Sequence, residues 1–452
     1  MGGGGGRITP GEYFFFGKCI DFFFFLLQLV AVNIFFSGFF FHFLVECSII
    51  AGFHVTSPGS LFVRRCQWVA FLFVFGYLFF FRTCTYFGFK KPPMQSNAVQ
   101  LLVTLRLCTL PFEIFDPEIS RNKAAATSKP SFYEFLSYSY CYCGLLTGPY
   151  YRYKTYKDFL EQENPEKIAS LWPALRRLKF APLYGGLYLL MNTYFPTKHL
   201  MSEEFFKHPW GIPYQLLYLV PAFNGFRWRF YIGWLLAESS CIMLGLGAYP
   251  FETDPKPALG PSKPMPAENG HVSEVADTKE NGDTHSFMTV YNIDIFKVEF
   301  APSMRSIMKD WNMSVQWWIA QYVHRKLPFS NRNIRMSVTL LVSAFWHGVA
   351  PGYYLTFLSV PLVVMAEVRM EKAIKPWLSQ RMCYYYDWCS WFCLYRAMEY
   401  LGCGFILLQF APCIAIWKNM YFIGHIIMVL FIIIPSFIPR KRGDKEEIKK
   451  AS

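Results

Sequence analysis

Charge is scarce in this chain. Asp, Glu, Lys and Arg make up only 17% of its 452 residues, against about 25% in soluble globular proteins. A disordered chain, kept open by its charge, is therefore excluded as a description of the whole. Metal-ligand spacing is missing too. None of the 13 cysteines forms a C-x-x-C pair and none stands in a C…H pattern of zinc type, so no metal site and no disulfide scaffold is expected. The cysteines read as small apolar side chains. There is no repeat of fixed period and no train of alternating ten-residue strands, which weakens an inverted-repeat transporter and argues against a membrane barrel.

Apolar and aromatic residues are abundant instead. Hydrophobic residues reach 53%, aromatics 20%, and Phe occurs 48 times. Residues 22–45 carry no formal charge, with Gln28, Asn33, Ser37 and His42 as the strongly polar groups. That run exceeds the ~20 residues a helix needs to cross the hydrocarbon core. Residues 61–81 repeat the pattern, interrupted by Arg64 and Arg65. Shorter or Gly/Pro-broken runs follow at 98–115, 181–195, 213–235, 335–348, 353–366, 395–417 and 421–438. Lipid leaves backbone groups unsatisfied outside helices and closed barrels. The pattern thus predicts an all-α, polytopic transmembrane bundle with about nine to twelve spans. We read 1–21 as an N-terminal tail, 22–438 as the multi-span domain and 439–452 as a basic cytosolic tail. The glycine-rich start fails the myristoylation pattern, because Gly6 stands where Ser or Thr is needed. Residues 22–45 are too long for the apolar part of a cleaved signal and read as a retained span.

The net charge is +13. The cations sit in short clusters between apolar runs, which suits loops at an anionic membrane face or an anionic substrate and not nucleic acid. Residues 252–286 differ in kind: five prolines, three lysines and seven acids with no apolar period predict a disordered extramembrane loop. The chain ends Lys449-Lys450-Ala451-Ser452, which resembles the dilysine retrieval signal of endoplasmic-reticulum membrane proteins.

Four stretches carry groups capable of chemistry. At the end of an apolar run, Ser343 and Trp346 lead into His347. An imidazole at membrane depth faces a bundle interior or a water-filled cavity. Desolvation keeps it neutral, as a general base must be, although a hydrogen-bonded structural histidine fits the same position. In Trp311-Asn312-Met313-Ser314, Asn312 and Gln316 share one helical face. Asn312 suits a substrate hydroxyl or a developing oxyanion, a structural hydrogen bond, or a glycosylation sequon. Residues 136–156 gather seven tyrosines, Tyr153 among them, with Arg152 and Lys154 beside a Gly148-Pro149 break. Residues 226–231 place Arg227 and Arg229 among aromatics. These cations suit phosphate binding or snorkelling at an aromatic belt.

Together, SYSYCYCGLLTGPYYRYKTY (137–156), FRWRFYIGW (226–234), WNMSVQWWIAQY (311–322) and SAFWHGVAPGYYLTFL (343–358) resemble the membrane-bound O-acyltransferase superfamily, and within it the lysophosphatidylinositol acyltransferases of vertebrates. The resemblance runs from about residue 97 to about 439; before about Arg82 the chain departs from it. It implies a helical bundle with a buried substrate tunnel, with the invariant histidine at His347 and its partner asparagine at Asn312. It also implies a polyunsaturated acyl-CoA donor, arachidonoyl-CoA preferred, and lysophosphatidylinositol as acceptor at its sn-2 hydroxyl. Acyl-CoA is then a co-substrate and no cofactor is bound. The implied location is the endoplasmic-reticulum membrane. Arg152, Tyr153, Lys154, Arg227, Arg229, Gln316, Ser343 and Trp346 are the candidates for holding substrate; no protein partner is assigned.

Overall fold

The computed structural model describes residues 61–115, 129–162, 165–265 and 284–439. The tail 1–21, the expected span 22–45 and the end 440–452 lie outside the described residues. Helices of eight or more residues are α1 (Leu61–Thr83), α2 (Met94–Phe115), α3 (Phe132–Ser139), α4 (Tyr153–Leu160), α5 (Leu171–Leu178), α6 (Ala181–Tyr194) and α7 (Ile212–Met243), then α8 (Met313–Tyr322), α9 (Arg332–His347), α10 (Pro351–Ile374), α11 (Gln380–Leu407), α12 (Phe410–Asn419) and α13 (Ile423–Ile433). Among the described residues, strand is confined to Tyr249–Pro250 and His285–Ser286, paired antiparallel with Tyr249 opposite Ser286. The all-α expectation holds for this part of the chain.

Two apolar clusters organise the helices. One joins α1 and α2 to the tyrosine-rich segment and α8, through Leu78, Leu105, Phe112, Tyr150, Tyr151 and Trp318. The other joins α7 to α10, α11 and α12, through Leu219, Tyr231, Val363, Leu401 and Trp417. The 32-residue α7 serves both: its Cys241 and Ile242 lie in the first cluster, its Leu219 and Leu235 in the second.

Burial of charge shapes the first cluster. Arg106, in the middle of α2, is fully buried. Its guanidinium donates to the carbonyls of Tyr138, Ser139, Cys141 and Cys143 and to the Tyr151 hydroxyl, at 2.7–3.3 Å. One cation thereby fixes the course of the tyrosine-rich segment, since a desolvated guanidinium needs its donors matched. The segment begins with a capping box: Glu134 N–H donates to Ser131 Oγ at 3.3 Å and Ser131 N–H to the Glu134 carboxylate at 2.7 Å. Those bonds from Ser131 hold the Glu134 carboxyl below its ordinary range.

Two helices among the described residues are long and apolar enough to cross a membrane, Gln67–Phe87 and Pro351–Trp377. Phe410–Asn419 and Ile423–Phe437 form a pair bent by 71° that meets the same test jointly. Three of the other runs depart from a continuous apolar span for definite reasons. The run at 98–115 holds Arg106 and Glu113, both buried. The run at 181–195 forms a helix of only 14 residues, about 21 Å long and short of the ~30 Å hydrocarbon core. The run at 395–417 is two helices, parted where Leu408 takes a left-handed φ of 64°. The loop expected over 252–286 is ordered at its start. Thr253 and Ala258 are buried, Ser262 N–H donates to Thr253 O at 2.9 Å, and Ala258 N–H to Thr289 O at 2.9 Å. Its prolines fix turns whose amides find acceptors within the segment and at Thr289; residues 266–283 lie outside the described residues.

Helices α10 and α11 cross on two glycines. A Cβ on Gly404 would stand 2.3 Å from Thr356 Oγ1 and 2.7 Å from Gly352 O. The backbones are locked there, with Gly352 N–H donating to Leu408 O at 2.7 Å and Thr356 Oγ1 to Leu401 O at 2.8 Å. Gly404→Ala is therefore expected to lower the melting temperature of the detergent-solubilised protein, at a cost of about 1–3 kcal/mol for overpacking. An unchanged melting curve would show that the crossing yields freely.

Candidate active site

Helix α9 starts at a cap, with Asn331 Oδ1 accepting from Asn333 N–H at 2.9 Å and Ile334 N–H at 3.3 Å. It ends at His347, where Gly348 N–H closes the last turn on Ala344 O at 2.9 Å. Glycine follows for reasons of room: a Cβ at 348 would fall 2.4 Å from the Tyr353 ring. The close-packed turn from α9 into α10 therefore presents His347 to four rings. These are Trp346 at 4.8 Å, Phe357 at 5.4 Å, Phe405 at 5.5 Å and Tyr353 at 5.9 Å between centroids. The imidazole is half-buried, and neither ring nitrogen has a hydrogen-bond partner among the described residues. A hydrogen-bonded structural histidine would look different. This one has a free nitrogen within an aromatic enclosure, where a reacting hydroxyl can dock.

Ser343, one turn earlier, is half-buried, and its side chain likewise makes no hydrogen bond among the described residues. Trp346 is spoken for: its buried indole N–H donates to Leu101 O on α2 at 3.2 Å.

Asn312 precedes α8 with φ 49° and ψ 47°, a left-handed conformation that Asn tolerates better than most residues. It is buried at 9% exposure, which rules out the sequon reading. Its side-chain amide bonds to no protein group among the described residues, so the structural hydrogen-bonding role is also unfilled. Its backbone is held hard. Asn292 O accepts from Met313 N–H at 2.7 Å, and Asn292 Oδ1 accepts from Ser314 Oγ at 2.6 Å and Ser314 N–H at 3.2 Å. Asn292 and Ile293 in turn donate their N–H groups to Glu238 Oε1 at 2.7 and 3.2 Å, and Glu238 is ion-paired with Arg177. Gln316 lies one turn along α8, half-buried, with its N–H on Asn312 O at 2.9 Å.

No hydrogen bond joins Asn312 to His347 among the described residues. A relay of ring contacts connects their neighbours. Phe405 beside His347 packs on Phe226 at 6.5 Å, Phe226 on Phe230 at 5.3 Å, and Phe230 on Trp311, the neighbour of Asn312, at 6.3 Å. Ring contacts through α7 thus link the neighbours of the two candidates.

The four candidate phosphate-binding cations separate cleanly. Arg152 is buried and paired with Glu113 at 3.4 Å, while Glu113 also accepts the N–H groups of Tyr153 and Lys154 at 3.3 and 3.4 Å. Tyr153 is itself a core ring, 1% exposed. Lys154 meets Asp158 at 2.5 Å, and buried Arg227 meets Glu299 at 2.9 Å. Their charges are already matched inside the protein. Arg229 differs: it is exposed, stacks over Phe226 at 4.2 Å and Phe230 at 5.0 Å, and has no carboxylate partner among the described residues. Tyr353, a neighbour of His347, is within its electrostatic reach.

Sequence reasoning missed the polar framework: Arg82, Arg106, Glu113, Arg177, Glu238 and Asn292. The available signal was a charge or amide standing inside or at the edge of an apolar run. Glu238→Ala should destabilise the protein by about 3–5 kcal/mol, because half-buried Arg177 loses its carboxylate and the buried amides of Asn292 and Ile293 lose their acceptor. Removing both partners should recover part of the loss in a thermal-unfolding cycle; strictly additive losses would show that the pair is not coupled.

Residues 63–409 match the model of the MBOAT, membrane-bound O-acyltransferase family. The chain is 36% identical over 409 residues to the membrane-bound acylglycerophosphatidylinositol O-acyltransferase mboat7 of Danio rerio, covering 86% of this chain and 85% of that protein. It is 40% identical over 372 residues to the Homo sapiens protein of that name, covering 80% and 77%. To the Drosophila melanogaster membrane-bound acylglycerophosphatidylinositol O-acyltransferase frj it is 33% identical over 388 residues, covering 79% and 75%.

Proposed function

The chain belongs to the membrane-bound O-acyltransferase family, and from that premise we propose that it acylates lysophosphatidylinositol with a fatty acyl group from acyl-CoA. The acceptor follows the relatives, which are named as acylglycerophosphatidylinositol O-acyltransferases. The reading includes arachidonoyl-CoA as the favoured donor, a buried tunnel in which the two substrates meet, and residence in the endoplasmic-reticulum membrane. The observation that carries the chemistry is the free imidazole of His347 inside its ring of aromatics, with the free amide of Asn312 held across α7.

In the proposed reaction, the sn-2 hydroxyl of the lysolipid hydrogen-bonds to a His347 nitrogen. His347 takes the proton as that oxygen attacks the thioester carbonyl. Asn312 donates to the carbonyl oxygen as negative charge gathers there. The C–S bond breaks, CoA leaves as thiolate, and the imidazolium returns the proton to it. A new ester replaces a more reactive thioester, so the transfer runs downhill without ATP. Arg229 is the cation we assign to the lipid phosphate, since its charge is not matched within the described protein. Ser343 and Gln316 border the two reacting groups and orient substrate.

His347→Ala should cut CoA release by at least about 10²-fold, the worth of a general base, with unfolding behaviour unchanged. Asn312→Ala should lose about 10²–10³-fold, the worth of one oxyanion donor. The assay pairs arachidonoyl-CoA or oleoyl-CoA with lysophosphatidylinositol, lysophosphatidylserine or lysophosphatidylcholine, and products are read by mass spectrometry. Full activity of the His347 variant removes the base. Preference for another lysolipid reassigns the acceptor and leaves the chemistry standing.

Arg229→Gln should raise the KM for lysophosphatidylinositol about tenfold or more, the worth of one charge-assisted hydrogen bond. An unchanged KM would return Arg229 to a membrane-surface role.

A further inference from the structure

We propose that Arg82, at the end of α1, is a positioning residue that fixes the carbonyl end of α9 and thereby the His347 imidazole. The inference rests on His347 as the base. The last carbonyls of a helix have no partner within it, and a terminal residue frays unless its neighbours are held. His347 occupies that weak place in α9.

The structure answers with a fork. Arg82 Nη1 donates to Phe345 O and Arg82 Nη2 to Trp346 O at 2.5 Å. These are the two carbonyls immediately before His347. Arg82 Nε donates to Asn97 Oδ1 on α2 at 3.4 Å, so the guanidinium plane is itself held. The Trp346 indole reaches Leu101 O on the same helix at 3.2 Å. The end of α9 is therefore bolted to α1 and α2 by three bonds, with a fourth joining Arg82 to α2, while His347 packs against Phe357 on α10 and Phe405 on α11.

The charge fits the place. Arg82 has no carboxylate partner among the described residues; carbonyl oxygens carry its whole compensation. A positive group at the carbonyl end of a helix is favourable in its own right. Only a planar fork can take two successive carbonyls at once, so lysine is not equivalent here. Displacing a catalytic group by about 1 Å can cost on the order of 10²-fold in rate. The effect should therefore fall on turnover and leave substrate affinity alone.

The test uses full-length protein in detergent micelles, with lysophosphatidylinositol and arachidonoyl-CoA as probes. Arg82→Gln should lower kcat about 10–100-fold with both KM values kept within about twofold. Arg82→Lys should recover part of the loss, and the Gly348 amide should exchange with solvent faster in the Gln variant. An unchanged kcat overturns the inference. So does a tenfold rise in either KM at constant kcat, which would make Arg82 a substrate phosphate ligand. Should Arg82→Gln fail to fold, Asn97→Ala decides. It frees only Nε, and kcat should fall severalfold; an unchanged kcat overturns the proposal. His347→Ala runs in parallel. Activity in that variant overturns the base itself, whereas an inactive His347 variant beside a fully active Arg82→Gln overturns only the role of Arg82.

Discussion

The ion pair of Arg177 and Glu238 ties together segments that are remote in the chain. Helix α5 supplies the guanidinium and α7 the carboxylate, which also receives the amides of Asn292 and Ile293. A fully buried carboxylate is tolerable only with such company. Asn292, fixed in this way, receives the first turn of α8, and Ser314 Oγ on that turn accepts from Tyr150 N–H at 2.9 Å. The tyrosine-rich segment, the long helix and the turn bearing Asn312 become one polar unit. Asn312 keeps a left-handed backbone because its neighbours on both sides are pinned.

The same rule separates cations that have a carboxylate or carbonyl partner inside the protein from those that do not. Arg106 is consumed by four carbonyls and a hydroxyl, Arg152 by Glu113 and Arg227 by Glu299. Each has a partner inside the protein, although Nε and Nη1 of Arg227 stay buried without a hydrogen-bond acceptor among the described residues. His347, Asn312 and Arg229 have polar atoms left over. Unpaired polar groups are costly in an interior, and on the proposed reading a substrate completes those of His347 and Asn312.

This division explains what the sequence disclosed. The helical character was legible because apolar runs without strand alternation admit little else. His347 and Asn312 were legible as polar groups embedded in aromatic runs. Pairing was not: Arg227 meets a carboxylate 72 positions away and Arg177 one 61 positions away, and no local pattern encodes such partners. Arg82 sits at the end of an apolar run, where a snorkelling cation looks the same. The break at Leu408 and the order within 252–265 depend on contacts between distant backbones, which composition does not report.

The corner between α12 and α13 bears on the surroundings of the protein. At that bend, Tyr421 N–H donates to Lys418 O at 2.9 Å, Phe422 N–H to Trp417 O at 2.7 Å and Ile423 N–H to Met420 O at 3.0 Å. A turn that closes its own amides asks nothing of its neighbours. Its backbone donors are closed within the turn, and the exposed Tyr421 ring, 75% accessible, has the amphipathic make-up of a headgroup-level anchor. The elbow thus joins a backbone closed on itself to one aromatic of the kind that marks a membrane–water boundary.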